Sequence, residues 1–310
     1  MEPSPTEAIL KDTAPEPFVI LSYGVAGIGK TVDQGYSFPT ALFVAAPGAL
    51  NSIKSVCGYI PSQTEVKNIS EATKLVKKVA DSGAYKSIVF DDFSFISEMT
   101  FAELENKKLT GFKLWGELRD QMLNFRDVSR YCGINVVMNA WESPPKIKNG
   151  VRVRGGPQLP SNLPESIPAL CDMVLRAVQE PARKPWPAAY LCSNDPGYVM
   201  KDRFHIASMV NPAPMNLGEL IRASGRKVDR LPHLTWQEDM VEKIALDLTG
   251  VPAADAPKVK EYFKKVREAG AQPEVAIWTL RDAIDRAVIR EQRKTNLEKV
   301  FDFTTTGFPG

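Results

Sequence analysis

The residue types and spacing with the clearest chemical meaning occur early in the chain. They form an uninterrupted G-x-x-x-x-G-K-T pattern: Gly24, Val25, Ala26, Gly27, Ile28, Gly29, Lys30 and Thr31. In such a loop the glycines let backbone N–H groups surround phosphates, the lysine reaches the β- and γ-phosphates, and the threonine hydroxyl ligates Mg²⁺. These eight residues therefore predict a site for ATP or GTP, with ATP and Mg²⁺ as the expected ligands.

A pair of carboxylates supplies the second part of such a site. Asp91 and Asp92 directly follow the apolar residues 88–90, which are typical of a buried strand. A nucleotide-bound Mg²⁺ needs a carboxylate at the end of a neighbouring core strand, which predicts Thr31 and Asp91 as the metal-side residues. Asp92 is then a candidate to polarise the attacking water. The alternative is that either aspartate only caps a helix that begins near Ser94.

Short apolar runs alternate with helical patterns along the first half of the chain. Runs typical of core strands occur at residues 18–23, 41–46, 87–90 and 134–140. Amphipathic spacing predicts one helix over 70–81, with Ser70 as its N-cap, and a long helix over 113–131. This alternation is typical of an α/β domain with a mostly parallel sheet.

The character of the sequence changes after residue 141. Lys146, Lys148, Arg152 and Arg154 surround an Asn-Gly pair, which predicts a β-hairpin with a two-residue turn. These basic residues could track a nucleic-acid backbone, and the alternative is a solvated hairpin whose charges only keep it soluble. Nearer the end of the chain, the sequence predicts helices over 235–248, 256–269 and 273–291.

Composition and charge narrow the class of protein. The 310-residue chain is 44% hydrophobic and 25% charged with a net charge of +2, so any contact with nucleic acid must come from a local patch. No apolar stretch has the length of a membrane span, and the first residues lack the layout of a signal peptide. The expected location is the cytoplasm, with no membrane partner.

With these motifs in this order, the chain resembles phage-encoded P-loop nucleotide-binding proteins with a RecA-type core, which are related to single-strand-annealing recombination ATPases. The resemblance spans about residues 17–206. Beyond the phosphate loop and Asp91, it rests on Trp115-Gly116, residues 135–142, Pro157, Leu163-Pro164, Cys171-Asp172 and Lys201-Asp202-Arg203. We therefore expect an α/β RecA-type P-loop NTPase core with a mostly parallel sheet and a helical C-terminal extension. The expected boundaries are a flexible arm (1–16), the core (17–230), the extension (231–300) and a flexible tail (301–310).

The resemblance also implies roles outside the phosphate loop. Asn139 would sense the γ-phosphate, with Glu142 close by, and the basic stretch 146–154 would contact DNA. Lys201 and Arg203 would reach across a subunit boundary to the γ-phosphate bound by a neighbour in a ring or filament. The alternative for this charged segment is a solvated turn. The predicted catalytic set is Lys30, Asp92, Asn139, Glu142, Lys201 and Arg203.

One departure from the family pattern concerns the end of the second core strand. RecA-type enzymes usually carry a glutamate there, whereas this chain has Ala45-Ala46-Pro47-Gly48. Either Asp92 or Glu142 substitutes for it, or hydrolysis is slow and the nucleotide acts chiefly as an assembly switch.

The expected function is that of a Mg²⁺-dependent ATPase that binds single-stranded DNA and assists phage DNA annealing or recombination as an oligomer. A single-stranded-DNA-binding protein is a further candidate partner. The alternatives are an ATP-dependent assembly or switch protein with little turnover and no DNA role, and a ring helicase or packaging motor.

Overall fold

The computed structural model describes residues 17–148, 150–160, 163, 171–181, 187–192, 195–205, 210–226, 238–250 and 256–305. The predicted N-terminal arm (1–16) and the last part of the predicted tail (306–310) lie outside the described residues.

A large twisted sheet forms the centre of the protein. Its strands, with those of a separate hairpin, are β1 (Val19–Gly24), β2 (Leu42–Ala45), β3 (Gln63–Thr64), β4 (Ser87–Asp91), β5 (Asn135–Ser143), β6 (Lys146–Lys148), β7 (Val151–Val153), β8 (Gly156–Pro157), β9 (Met173–Gln179), β10 (Ala188–Leu191), β11 (Lys201–Asp202) and β12 (Ala213–Pro214). The order across the sheet is β12-β10-β9-β1-β5-β4-β2-β3, and the six strands from β9 to β3 are parallel. The prediction of a mostly parallel α/β sheet is confirmed.

The central strands of this parallel sheet are apolar on both faces. Every residue of β1 and β2 is buried, as expected for strands covered by helices on two sides. The helices are α1 (Lys30–Ser37), α2 (Asn51–Cys57), α3 (Ile69–Ser82), α4 (Phe93–Asn106), α5 (Gly111–Tyr131), α6 (Leu217–Ala223), α7 (Glu238–Leu248), α8 (Ala256–Glu268) and α9 (Pro273–Thr305). Helices α3, α4 and α5 cover one face of the sheet, and α1, α2, α6 and α9 cover the other.

Helices α3, α5 and α8 lie within two residues of their predicted bounds, whereas α9 extends fourteen residues beyond its predicted end at 291. One predicted cap was also wrong. Helix α3 is capped by Asn68, whose side chain accepts a hydrogen bond from the backbone N–H of Glu71 at 2.8 Å. Asn is as good a cap as Ser, and it comes first in the chain, so Ser70 lies inside the first turn.

The C-terminal helices form their own small core and also contact the sheet domain. Helices α7, α8 and α9 pack together around Val241, Ile244 and Val266, while Trp278 and Ile289 of α9 join the cluster beside α1. Helix α9 continues to Thr305, beyond the predicted start of the tail at residue 301. Among the described residues, no helix is long and apolar enough to cross a membrane.

Candidate nucleotide site

The glycine-rich loop leaves the end of β1 and leads into α1. Gly27 and Gly29 have φ angles of 77° and 106°, in the left-handed region that favours glycine. Gly24 is required for a different reason, because a Cβ there would lie 2.6 Å from the carbonyl oxygen of Ala177 on β9. Gly29 is the N-cap of α1 and offers no side-chain cap, so the helix presents its unpaired N–H groups, the arrangement that binds phosphate.

Lys30 lies inside this loop. Its ammonium donates hydrogen bonds to the carbonyl oxygens of Gly24 at 2.8 Å and Val25 at 3.1 Å. Burial lowers the pKa of Lys30, and the negative charges of Asp91, Asp92 and Glu142 oppose that shift. The loop therefore holds a cation beside the unpaired N–H groups of α1, where an anion such as phosphate is favoured.

A chain of hydrogen bonds joins the loop to the predicted metal-side aspartate. The Thr31 hydroxyl donates to Asp91 Oδ2 at 2.8 Å, and the Asn139 amide donates to Asp91 Oδ1 at 2.9 Å. Asn139 is fully buried and in turn accepts hydrogen bonds from Ser22 at 2.7 Å and Gln34 at 2.6 Å. Burial raises the pKa of Asp91, and the hydrogen bonds from Asn139 and Thr31 oppose that shift.

Strand register explains why these groups meet. Ser22 on β1 is level with Asn139 on β5, and Phe90 on β4 is level with Met138, so Asp91 comes next to Asn139. Asn139 contacts Asp91 rather than lining the pocket itself, so a direct contact with a γ-phosphate stays a prediction.

The two carboxylates predicted to replace the missing glutamate both have structural partners. Asp92 is the N-cap of α4 and accepts a hydrogen bond from the backbone N–H of Phe95 at 2.7 Å, which is the capping alternative. Burial raises the pKa of Asp92 to about 6. Glu142 accepts two hydrogen bonds from Arg176, at 2.9 and 3.0 Å, and Arg176 also stacks on the Tyr198 ring.

An open pocket of about 540 Å³ lies beside the loop. Its walls include Lys30, Thr31, Asp91, Asp92, Trp141 and Glu65. A second pocket of about 440 Å³ shares Gly27, Gly29 and Val32 with the first, and is lined in addition by the apolar side chains of Ile28, Val56 and Pro187. The two pockets therefore meet at the glycine-rich loop, and each has charged as well as apolar residues in its lining: Lys30 and Asp91 in the first, Asp33 and Arg281 in the second.

Lys201 and Arg203, predicted to reach a neighbour's γ-phosphate, lie at the opposite ends of the strands from the glycine-rich loop. Lys201 and Asp202 pair with Val174 and Met173 at the start of β9, next to the first residues of β1. Five residues of β1 separate this end of the sheet from Gly24, or about 17 Å of extended strand. Arg203 contacts the buried Asp172 at 3.1 Å, and Arg130 contacts the same carboxylate at 2.6 Å. Lys201 and Arg203 are therefore remote from the phosphate loop of their own chain.

The basic stretch forms a hairpin of β6 and β7, with Lys148 opposite Val151. Lys146, Lys148, Arg152 and Arg154 are all exposed. Directly opposed residues in an antiparallel pair share a face. Lys146 and Lys148 therefore lie on the face of Val151 and Val153, while Arg152 shares the other face with Ile147. Asn149, the first residue of the predicted turn, lies outside the described residues.

Sequence patterns missed a buried charge pair directly behind the phosphate loop. Asp33 on α1 contacts Arg281 on α9 at 3.2 Å and accepts a hydrogen bond from the Tyr190 hydroxyl at 2.8 Å. Burial raises the pKa of Asp33, and the charge of Arg281 opposes that shift. The residues are 248 positions apart, and no local pattern could have connected them. Ser22 and Gln34 were missed for the same reason.

The strand order and the glycine-rich loop agree with the predicted P-loop fold of the RecA type, and the predicted helical C-terminal segment is present. Residues 16–204, more than half of the chain, match the family model described as an AAA domain, and the protein belongs to this family.

Comparison with solved structures gives remote likenesses. A KaiC-like protein from the hyperthermophilic archaeon Pyrococcus horikoshii OT3 is 13% identical with a TM-score of 0.36, over 57% of this chain and 78% of that chain. The RadB recombinase is 15% identical with a TM-score of 0.36, over 60% of this chain and 86% of that chain. No curated protein matches the chain.

Proposed function

We propose that this protein binds and hydrolyses ATP with Mg²⁺. The observation that carries the proposal is the chain of hydrogen bonds from Thr31 through Asp91 to Asn139, with the Lys30 ammonium held beside it by the loop carbonyls. It joins a phosphate-binding helix N-terminus, a cation and a carboxylate at one edge of a parallel sheet. Together the two pockets beside the loop, of about 540 and 440 Å³, have room for a nucleotide.

The residues present fit Mg²⁺. Thr31 Oγ1 and Asp91 Oδ2 lie 2.8 Å apart and are the hard oxygen ligands that this ion prefers. The described residues contain no cluster of three or more His, Cys, Asp or Glu side chains that could hold a metal. This agrees with an ion bound by one carboxylate together with substrate phosphates, which neutralises phosphate charge. Thr31 and Asp91 would hold the ion, and Lys30 would bind the β- and γ-phosphates.

We propose further that the protein binds single-stranded DNA and assists phage DNA annealing or recombination. The four exposed basic side chains of the hairpin support this, because they form a local positive patch on a chain of nearly neutral charge. The hairpin is separated by two residues from β5, the strand that carries Asn139, so DNA and nucleotide would bind neighbouring segments of the chain.

A ring or filament is the third part of the proposal. Lys201 and Arg203 cannot reach their own phosphate loop, and the Arg203 side chain is 47% exposed. An exposed arginine at the opposite end of the strands suits contact with a nucleotide bound by a neighbouring subunit.

Replacing Lys30 tests the phosphate site. We expect Lys30→Ala to lower ATP affinity or turnover at least about tenfold, or about 1.4 kcal/mol, because the ammonium that faces the phosphates is removed. Binding of a fluorescent ATP analogue and release of phosphate are the measurements. Lys77→Ala, an exposed lysine on α3, is the matched control. Unchanged binding and hydrolysis in a folded Lys30→Ala protein would contradict the assignment.

A further inference from the structure

The end of strand β3 brings a glutamate to the carboxyl ends of the parallel strands, where the glycine-rich loop also lies. Phe43 and Val44 of β2 pair with Gln63 and Thr64 of β3, so the next residue, Glu65, comes level with Ala45. Ala45 in turn pairs with Asp91 on β4. Glu65 therefore belongs to the same row across the sheet as the metal-side aspartate, two strands away.

Hydrogen bonds fix this part of the edge strand. The Gln63 side-chain amide donates to the carbonyl oxygens of Ala45 at 3.2 Å and Ala46 at 3.3 Å. These contacts hold the end of β3 against the end of β2, where no carboxylate is present. Glu65 lines the same pocket as Lys30, Thr31 and Asp91.

The other carboxylates near this pocket are engaged. Asp91 holds Thr31 and Asn139, Asp92 caps α4, and both oxygens of Glu142 accept hydrogen bonds from Arg176. Glu65 is exposed, and within the described part of the chain its carboxylate has no hydrogen-bond or ion-pair partner. Hydrolysis of a γ-phosphoryl group needs a polar group that orients the attacking water.

We propose that Glu65 orients and deprotonates the water that attacks the γ-phosphate. The inference rests on the proposed function of ATP hydrolysis and names the residue that performs its proton transfer. The water oxygen forms a bond to the γ-phosphorus, and the bond from that phosphorus to the bridging oxygen breaks. ADP leaves with the electron pair of that bond, and the water proton passes to the Glu65 carboxylate and then to solvent.

The geometry allows this reach. Neighbouring strands lie about 4.8 Å apart, and an extended glutamate side chain spans about one such spacing. A Glu65 carboxylate that leans over Ala45 would therefore lie above the end of β2, next to Asp91. The small side chains of Ala45 and Ala46 leave that path open.

The test compares Glu65→Gln with the unmutated protein in three measurements: ATP binding, phosphate release, and binding of ADP with aluminium fluoride as a transition-state mimic. We expect phosphate release to fall at least about tenfold, binding of the mimic to weaken, and ATP affinity to change less than twofold. Glu105→Gln, an exposed glutamate at the end of α4, is the control and should match the unmutated protein. A second variant adds Ala46→Glu to Glu65→Gln, and its carboxylate, directly after the neighbouring strand β2, should restore part of the turnover.

The outcomes separate this inference from the proposed function. If Glu65→Gln hydrolyses ATP normally while Asp92→Asn does not, water activation belongs to Asp92 and the inference is wrong. If the unmutated protein binds ATP without measurable turnover, the inference is also wrong, and nucleotide binding stands. If ATP does not bind at all, the phosphate-site proposal itself fails.

Discussion

Cationic side chains outside the phosphate loop have opposite surroundings in two regions of the molecule, the buried side of α9 and the β6–β7 hairpin. Arg281 on α9 is 4% exposed and contacts Asp33, Asp285 and the carbonyl oxygen of Met215. Lys146, Lys148 and Arg152 on the hairpin are exposed, and none of them has a partner in the described part of the chain. A buried cation must be paired to be tolerated, whereas an exposed and unpaired one is available to a ligand. Arg281 therefore stabilises the fold, and the cations of the hairpin are suited to binding a ligand.

The buried group attaches the C-terminal helix to the back of the phosphate-loop helix. Tyr36 on α1 stacks on Trp278 of α9 with ring centroids 4.2 Å apart, and its hydroxyl donates to Asp282 at 2.8 Å. Asn216 donates to Asp282 and Asp285, each at 3.0 Å. Helix α1 therefore faces a phosphate site at its N-terminus and a dense polar contact on its side.

Removing the buried cation should have the largest effect. We expect Arg281→Ala to lower the free energy of unfolding by about 3–5 kcal/mol, because Asp33 is left as a buried carboxylate without its countercharge. The pKa of Asp33, already raised by burial, should rise further in this variant. Denaturation in urea measures the loss.

The matched control is Lys265→Ala on α8, which also breaks an ion pair within hydrogen-bond distance. Lys265 and Glu261 are each more than half exposed, so we expect no measurable loss of stability. Equal losses in the two variants would show that burial does not distinguish these pairs. A double variant, Asp33→Asn with Arg281→Met, should recover part of the stability.

The sequence predicted those features that local chemistry determines. The loop at residues 24–31, the central strands and helix α5 follow from glycine spacing, apolar runs and amphipathic periodicity. Helix α2 and strand β3 were not predicted. The helix has seven residues and the strand has two, and both are too short to show a clear periodicity. Glu65 consequently had no element to place it at the edge of the sheet.

Contacts between distant segments were equally beyond local patterns. The Arg176–Glu142 pair and the Asp33–Arg281 pair join residues 34 and 248 positions apart. Only the register of the sheet and the docking of α9 bring them together. The sequence therefore located the candidate site but not which of its carboxylates are engaged.

Arg203 lies between the two extremes, since it is half-exposed and yet paired with Asp172. If it contacts a neighbour's nucleotide, Arg203→Ala should retain ATP binding and lose hydrolysis at least about tenfold, because its charge acts mainly in the transition state. Asp172 keeps Arg130 and the backbone N–H of Val19 as partners, so the fold should survive. Phosphate release and nucleotide binding are measured separately.

Mixing variants distinguishes contact between subunits from a local defect. A mixture of the Arg203→Ala protein with the Lys30→Ala protein should regain some activity. At a boundary between the two kinds of subunit, one intact pocket can face one intact arginine. Mixed assembly is verified first by pull-down of differently tagged chains. No recovery at any mixing ratio would count against the contact.

The smallest expected change is in the salt dependence of binding to single-stranded DNA. Each phosphate contact contributes about 0.7 to the slope of log affinity against log salt, because it releases condensed counterion. Lys146 and Lys148 share one face of the hairpin, so replacing both with Ala should make the slope shallower by about 1.4, while ATP binding persists. If Arg152 and Arg154 are replaced as well, the slope should become shallower by up to about 2.8, but only if the DNA strand contacts both faces of the hairpin. A variant with both Lys74→Ala and Lys78→Ala, two exposed lysines on α3, is the control and should leave the slope unchanged.

If the unmutated protein has no affinity for single-stranded DNA at low salt with ATP and Mg²⁺, the exposed cations serve only solubility. A nucleotide-dependent assembly switch would then replace the DNA-binding proposal.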